Sequence, residues 1–108
     1  MKWVKDASEG IVVAGSQGQG DDLTQLSCPA GVFVDQLDTV YVVDSRNNRV
    51  MRWQVGATQG NSIAGKNRAG GQANELYSPT GIAFDRHGNL YVADCSNYRV
   101  QRFAIKLN

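Results

Sequence analysis

The sequence predicts an all-β fold in which a four-stranded antiparallel unit repeats along the chain. Residues 1–50 align with residues 51–100 without a gap, and seventeen of the fifty columns are identical. Within each period, short segments rich in Val, Ile, Tyr, Phe and Trp alternate with turn residues, and each is too short for an ordinary helix. Four short strands in a period near fifty indicate one blade of a β-propeller.

The apolar segments recur in a fixed order, which we number from the first to the fourth strand of a blade. The first strands are predicted at 31–34 and 81–84, the second at 39–43 and 89–93, the third at 49–55 and 99–104, and the fourth at 10–14 and 61–64. The chain therefore divides into a partial preceding blade (1–15), a first full repeat (16–65) and a second repeat of three strands (66–108).

Turn residues between these segments favour antiparallel hairpins. Gly88 lies in a tight link and can take a positive φ, and Asn47 suits a side-chain-stabilised turn. Asp44 faces Arg49 where the second and third strands meet, and Asp94 faces Arg99 in the second repeat. A cross-strand ion pair of this kind contributes up to about 1 kcal/mol. We therefore predict that these four residues are structural hairpin clamps.

The repeated motifs resemble the NHL repeat. The block Pro79–Asp85, followed by Gly88–Asp94 and then Asn97–Phe103, matches that repeat closely, and Pro29–Asp35, Val40–Asp44 and Asn47–Val50 follow it in the first period. The resemblance implies a propeller, usually of six blades, with each first strand at the axis and each fourth strand outside. The first repeat departs from the pattern at residues 37–39, so its turn is expected to differ there.

Two repeats do not bend into a ring, so we expect the chain to be a homo-oligomer. The segment 10–15 is predicted to be the outer strand that completes the last blade of a neighbouring chain. Three chains would supply six blades, and a tetramer with eight blades is the second choice. A piece cut from a longer propeller, natural or engineered, is the other interpretation of the same pattern.

Few residues indicate a metal, a cofactor or a nucleophile. His87 is the only histidine and lies in a turn, so zinc ligation is not expected, and no metal or cofactor is predicted. Cys28 and Cys95 do not belong to the repeat, and a bond between chains stays open for them. Trp3, Trp53 and Phe103 share one column, where packing between blades is favoured over a ligand platform.

Composition argues against two classes of partner, nucleic acid and membrane. The chain has 11 Lys and Arg against 10 Asp and Glu, and this balance argues against nucleic acid as a partner. No apolar run is long enough to span a membrane, and nothing assigns the chain to a compartment.

We therefore expect a non-enzymatic interaction scaffold, because propellers bind partners with the loops of one face. Here those loops are 16–30, 66–80, 45–48 and 95–98, and a protein or a small molecule is the expected ligand. The alternatives are a metal-dependent propeller hydrolase or lyase and an RNA-binding NHL domain. The candidate ligand-binding residues are polar or aromatic side chains of these loops: Gln17, Gln19, Asp22, Arg46, Asn47, Asn67, Arg68, Asn97 and Tyr98.

Overall fold

The computed structural model describes residues 2–3, 10–15, 18–65 and 69–105, and in these the chain forms β-strands joined by turns and two short 3₁₀ turns. The 3₁₀ turns cover Ser45–Asn47 and Cys95–Asn97. The strands, in chain order, are β1 (Lys2–Trp3), β2 (Gly10–Ile11), β3 (Pro29–Val34), β4 (Val40–Asp44), β5 (Arg49–Trp53), β6 (Asn61–Gly65), β7 (Pro79–Phe84), β8 (Asn89–Asp94) and β9 (Arg99–Ala104).

The strands form separate antiparallel sheets, each of which is a meander along the chain. The order β3-β4-β5-β6 gives a four-stranded sheet, which we call the first blade, and β7-β8-β9 gives a three-stranded sheet, the second blade. The remaining sheet is the pair β1-β2. The prediction of an all-β fold with antiparallel propeller blades is confirmed by this arrangement.

The first blade has two apolar faces, and this explains the continuous apolar run in β4. Val40 and Val42 point to one side and Tyr41 and Val43 to the other, because successive strand residues alternate. All five residues of β4 are buried. Burial on both faces is what stacked blades require.

One face of the first blade packs against the second blade. The buried members of this core are Val50, Ala64, Leu76, Leu90 and Val92, all at most 6% exposed. Burying each of the larger aliphatic side chains contributes about 1.5–3 kcal/mol. We call this the following face of the first blade, because the next blade along the chain covers it.

Three aromatic rings lie in the same contact between blades. Phe84 of the second blade lies 4.8 Å, centroid to centroid, from both Phe33 and Tyr41 of the first. Tilted and edge-on ring contacts at such distances add about 0.5–1.5 kcal/mol beyond burial of area.

The opposite, or preceding, face of the first blade carries Val40, Val42, Met51 and Trp53, with Val13, Ala14 and Leu26 packed against them. Trp53 is 2% exposed. A Cβ atom at Gly60 would lie 2.8 Å from its indole ring, so only glycine fits there without a shift. Among the described residues, Val13, Ala14 and Leu26 are the partly buried hydrophobic residues that pack against this cluster.

The β1-β2 pair repeats the geometry of β5-β6. Lys2 pairs with Ile11 and Trp3 with Gly10, and the first of these pairs corresponds, fifty residues later, to Arg52 opposite Asn61. The outer strand predicted over 10–15 is shorter in the structure, where β2 covers only Gly10–Ile11. β2 is paired with β1 of its own chain at this position.

Candidate functional site

The site is built around an ion pair at the end of the β4-β5 hairpin. Asp44 and Arg49 are directly opposite in the register of the two strands. The Arg49 Nε donates a hydrogen bond of 2.8 Å to the Asp44 Oδ2, and both side chains are almost completely buried. A buried ion pair is stable only where its remaining polar atoms also make hydrogen bonds.

Those remaining atoms bind the long loop that precedes β3. The terminal nitrogens of Arg49 donate to the backbone carbonyls of Asp21, Asp22 and Gln25 at 3.0–3.2 Å. The Asp44 Oδ1 accepts a 2.7 Å bond from the Ser27 backbone N–H. The pair therefore holds the loop over residues 18–30 as well as the hairpin.

Asn47 completes the same cluster. Its side-chain nitrogen donates to the Asp44 Oδ2 and to the Gly20 carbonyl, both at 2.8 Å. The residue is 9% exposed. Its amide hydrogens are thus used within the protein, which argues for a structural role at a position where the sequence predicts a ligand-binding one.

The second repeat contains the same cluster at Asp94, Asn97 and Arg99. The Arg99 Nε donates to the Asp94 Oδ2 at 2.8 Å, and its terminal nitrogens reach the carbonyls of 71, 72 and 75. The Asn97 side chain bonds Asp94 and the Gly70 carbonyl. The difference is exposure, since the Arg99 side chain is 29% exposed and that of Arg49 only 2%.

Hydrogen bonding outweighs burial at Asp94. Burial raises the pKa of this carboxyl, but hydrogen bonds from Asn97, the Tyr77 N–H and Arg99 together lower it by more. The pKa therefore lies below its ordinary value of 3.8. Asp94 is therefore an anion at neutral pH.

A second repeated geometry lies at the other end of each blade, in the turn between the first and second strands. The Asp35 Oδ1 accepts from the N–H groups of Leu37 and Thr39, and its Oδ2 accepts from the Tyr41 hydroxyl. Burial, followed by the hydrogen bond to Asp35, raises the pKa of Tyr41. The turn thus anchors a core tyrosine.

The matching turn of the second repeat has the same bonds. Asp85 accepts from the N–H groups of His87 and Asn89 and from the Tyr91 hydroxyl. Bonds from the side chain and backbone of Asn89 are the main cause that holds the pKa of Asp85 well below its usual range.

The sequence predicts that the first-repeat turn differs, because Leu37, Asp38 and Thr39 replace the His-Gly-Asn of the second repeat, and this prediction is wrong for the backbone. Asp38 has a φ of 63° and Gly88 a φ of 84°, so both take the left-handed conformation. Asp is one of the few other residues that tolerates this region.

Two of the candidate ligand-binding residues line one shallow cavity. Gln19 and Arg46 surround it together with Cys28, Leu26 and Pro29, and its volume is about 640 Å³. Gln19 also donates to the Ser27 hydroxyl at 3.2 Å. Arg46 is exposed beside the cavity, so this part of the loop face presents a cation next to polar and apolar surface.

The other candidates are distributed differently. Asp22 is exposed in the 18–30 loop, where its carbonyl accepts from Arg49. Asn97 is tied into the second cluster described above. The predictions for Gln17, Asn67 and Arg68, and for the side chain of Trp3, lie outside the described residues. Trp53 and Phe103 pack into the apolar clusters on the two faces of the first blade.

Tyr98 is the most exposed large apolar side chain of the described residues, at 95%. It has a φ of 56° and ends the second 3₁₀ turn. Its counterpart Asn48 has the same conformation, with a φ of 55°, and accepts a 2.8 Å bond from the Ser78 N–H of the second blade. Tyr98 has no side-chain acceptor of that kind at this position.

Three further residues, considered above for metal binding or for a bond between chains, lie at the surface. Cys28 and Cys95 are exposed free thiols, and His87 is exposed in its turn. Among the described residues, no three His, Cys, Asp or Glu side chains lie close enough to hold a metal ion. Within the same residues, the structure contains no helix long and apolar enough to cross a membrane.

The preceding face of the first blade forms a large open apolar groove. Its volume is about 1050 Å³. Val32 and Val34 in its wall are 65% and 48% exposed, an unusual state for side chains facing a blade core. The lining includes Val12, Val13, Leu26, Val32, Val34, Val40, Val42, Trp53 and Val55.

The repeat geometry agrees with a sequence comparison. The family model for the NHL repeat matches residues 26–52 and 76–103, a little over half of the chain. The chain belongs to the NHL-repeat family. A search of curated proteins finds no match. NHL repeats indicate a β-propeller-type protein-interaction module, and each matched range here contains one Asp–Asn–Arg cluster.

Sequence reasoning on the NHL motif missed two functions of its residues. It treated the Asp–Arg pair as a hairpin clamp and did not find that the arginine also holds the long loop. It also missed the bond between Asn48 and Ser78, which joins the blades. The sequence signal for this bond was the column that holds Asn48 and Tyr98, because an asparagine in one turn is replaced there by a tyrosine in the other.

Proposed function

We propose that this chain is a non-enzymatic interaction module whose propeller ring is closed by further copies of the same chain. The observation that carries the proposal is a difference between two equivalent residues. Val50, on the following face of the first blade, is 0% exposed because the second blade covers it. Val100, at the same position of the second blade, is 67% exposed. A second copy is the occupant that the repeat itself specifies.

The two open faces match the two faces already in contact. The following face of the second blade presents Ala83, Tyr91, Ala93 and Val100, the counterparts of Phe33, Tyr41, Val43 and Val50. The groove on the first blade presents Val32, Val34, Val40, Val42 and Trp53, the counterparts of Ile82, Phe84, Leu90, Val92 and Phe103. The repeat therefore aligns apolar surface with apolar surface when copies are stacked head to tail.

Strand exchange would complete the second blade. In the described residues no strand pairs with the outer edge of β9. The β5-β6 register, moved by fifty residues, places Arg99 of one copy opposite Gly15 of the next, Val100 opposite Ala14 and Gln101 opposite Val12. Val13, Ala14 and Leu26 already pack together as Ile63, Ala64 and Leu76 do.

The size of the ring follows from the blade number. Two repeats per copy and six blades per ring give a trimer, and eight blades give a tetramer. The loop face of such a ring would present three or four copies of the cavity beside Arg46, which suits a multivalent protein or small-molecule partner.

Molar mass in solution tests the assembly. Light scattering on the chain at micromolar concentration should give three times the chain mass, or four for the tetramer. A chain without residues 1–15 should form no closed ring, because it lacks the strand offered to the neighbour. A folded monomer of the full chain over the same concentration range would contradict the proposal.

The loop-face role needs a separate test. A peptide library selected against the full chain should yield binders, and an Arg46→Ala and Tyr98→Ala double variant should lose them without a change in melting temperature. Arg86→Ala is the matched control, since Arg86 is exposed in a turn between first and second strands. Peptides that bind the double variant as tightly as the parent would exclude this face as the binding site.

A further inference from the structure

A short strand of the chain occupies the place that strand exchange requires. β1 pairs with β2 through Lys2 opposite Ile11 and Trp3 opposite Gly10. In the exchange register, Ile11 is opposite Arg102 of the neighbour, since Asn61 is opposite Arg52 within the first blade. One edge of Ile11 cannot pair with both Lys2 and Arg102. The two partners exclude each other.

The sequence of β1 copies that of its competitor. Lys2, Arg52 and Arg102 share one column of the repeat, and Trp3, Trp53 and Phe103 share the next column. Both columns keep their chemistry, a cation and a large aromatic ring. β1 is thus an intramolecular mimic of the end of β9.

The region beside β1 is left open. β2 ends at Ile11, whereas its counterpart β6 continues to Gly65. Val12, the next residue, is 55% exposed. The described residues therefore show the outer strand formed only where β1 covers it, and residues 12–15 are without a strand partner.

We infer that β1 is an autoinhibitory strand that must be displaced by β9 of a second copy before the ring closes. This inference rests on the proposed strand exchange. The order of events follows from the geometry: β9 first pairs along 12–15, where the edge is open, and then replaces β1 at Ile11 and Gly10. The incoming strand gains more residue pairs than β1 gives up, so exchange is favoured once two copies meet.

A peptide isolates this step from ring formation. The probe is a fluorescent synthetic peptide with the sequence of β9, Arg99–Ala104, and its binding to the monomeric chain at nanomolar concentration is followed by anisotropy. Removal of residues 1–3 should tighten binding about tenfold, the value of one or two hydrogen bonds. Lys2→Pro should act in the same direction, and Lys2→Ala, which keeps the backbone N–H, is its matched control. A chain without residues 1–15 should not bind the peptide.

The outcomes separate the two proposals. Tighter peptide binding without any change in molar mass at high concentration supports the autoinhibitory strand and contradicts ring closure. A ring whose assembly and peptide affinity are unchanged by removal of residues 1–3 supports ring closure and overturns the autoinhibitory strand. Failure of the peptide to bind any form also overturns it, since β2 would then offer no edge to β9.

Discussion

The Asn48 side-chain oxygen accepts a 2.8 Å hydrogen bond from the backbone N–H of Ser78, and this bond joins the turn of the first blade to the start of the second. The equivalent residues at the proposed junction between copies are Tyr98 and Cys28. A tyrosine side chain does not place an acceptor in the same position. The internal junction and the junction between copies therefore differ at one identifiable bond.

Tyr98→Asn should strengthen the protein. Asn is tolerated in the left-handed conformation that Tyr98 adopts, and we expect a gain of about 0.5–1 kcal/mol in the free energy of unfolding. The assembly should gain further from the restored acceptor. Thermal unfolding and the concentration dependence of molar mass measure the two effects. The reverse change Asn48→Tyr should destabilise the chain. A lower melting temperature for Tyr98→Asn would show that the tyrosine ring makes a stabilising contact.

The arginines of the two clusters should differ in importance. Arg49→Ala removes the cationic partner of the buried Asp44 carboxylate and the guanidinium hydrogen bonds to three backbone carbonyls, which costs about 3–5 kcal/mol. Arg99→Ala should cost less, because its side chain is 29% exposed and solvent replaces part of the lost interaction.

Chemical denaturation of the variants measures this order, and Arg86→Ala is the control, with an expected cost below about 0.5 kcal/mol. Equal effects of Arg49→Ala and Arg86→Ala would exclude a structural role for the cluster. If Arg99→Ala keeps the stability of the parent but loses a bound partner, Arg99 belongs to the ligand site.

The sequence predicts the strands well because both signals that specify them are local. Each strand is a short apolar run, and the fifty-residue period places equivalent strands in equivalent positions. The turn around Asp85 and the pairing of Asp44 with Arg49 follow from the same local pattern, whereas the turn around Asp35 was predicted to differ from that of Asp85 and does not. The length of β2 was not predictable, since pairing over 12–15 depends on which strand lies beside it and the repeat carries no information on that.

The candidate site was predicted less well, for a physical reason. Asn47 and Asn97 are polar residues in turns, which is typical both of ligand-binding loops and of side chains that satisfy the backbone. The choice depends on whether a carbonyl lies within reach. Here the carbonyls of Gly20 and Gly70, 27 residues away in the chain, accept the bonds, and only the folded loop brings them there.

Acid should destabilise the fold through Asp85 and Asp94. Both carboxyls have a lower pKa in the folded chain than in the unfolded one, where it is about 3.9. Their contribution is therefore present in full above the unfolded pKa and is lost as the pH falls through the folded values. The melting temperature should be constant from about pH 7 to about pH 5 and fall below about pH 4.

Asp94→Asn tests this origin. The variant should melt at a lower temperature at neutral pH, because Arg99 loses its charged partner, and its melting temperature should fall less between neutral and acidic pH than that of the parent. A parallel pH profile for parent and variant would assign the acid sensitivity to other groups.

Val100 distinguishes assembly from folding. Val50→Lys places a charge in the core between the two blades, where the side chain is 0% exposed, and the chain should not fold. Val100→Lys places the same charge at the equivalent position on an open face, where the side chain is 67% exposed. The free energy of unfolding of the single chain should therefore change by less than about 0.5 kcal/mol. The ring should nevertheless fail to form, because stacking of a second copy would bury that lysine in the same way as the second blade buries Val50. Light scattering and circular dichroism on the same samples give the two readouts. A Val100→Lys chain that assembles like the parent would show that this face is not an interface between copies, and a chain that unfolds would show that Val100 already belongs to the core of the single chain.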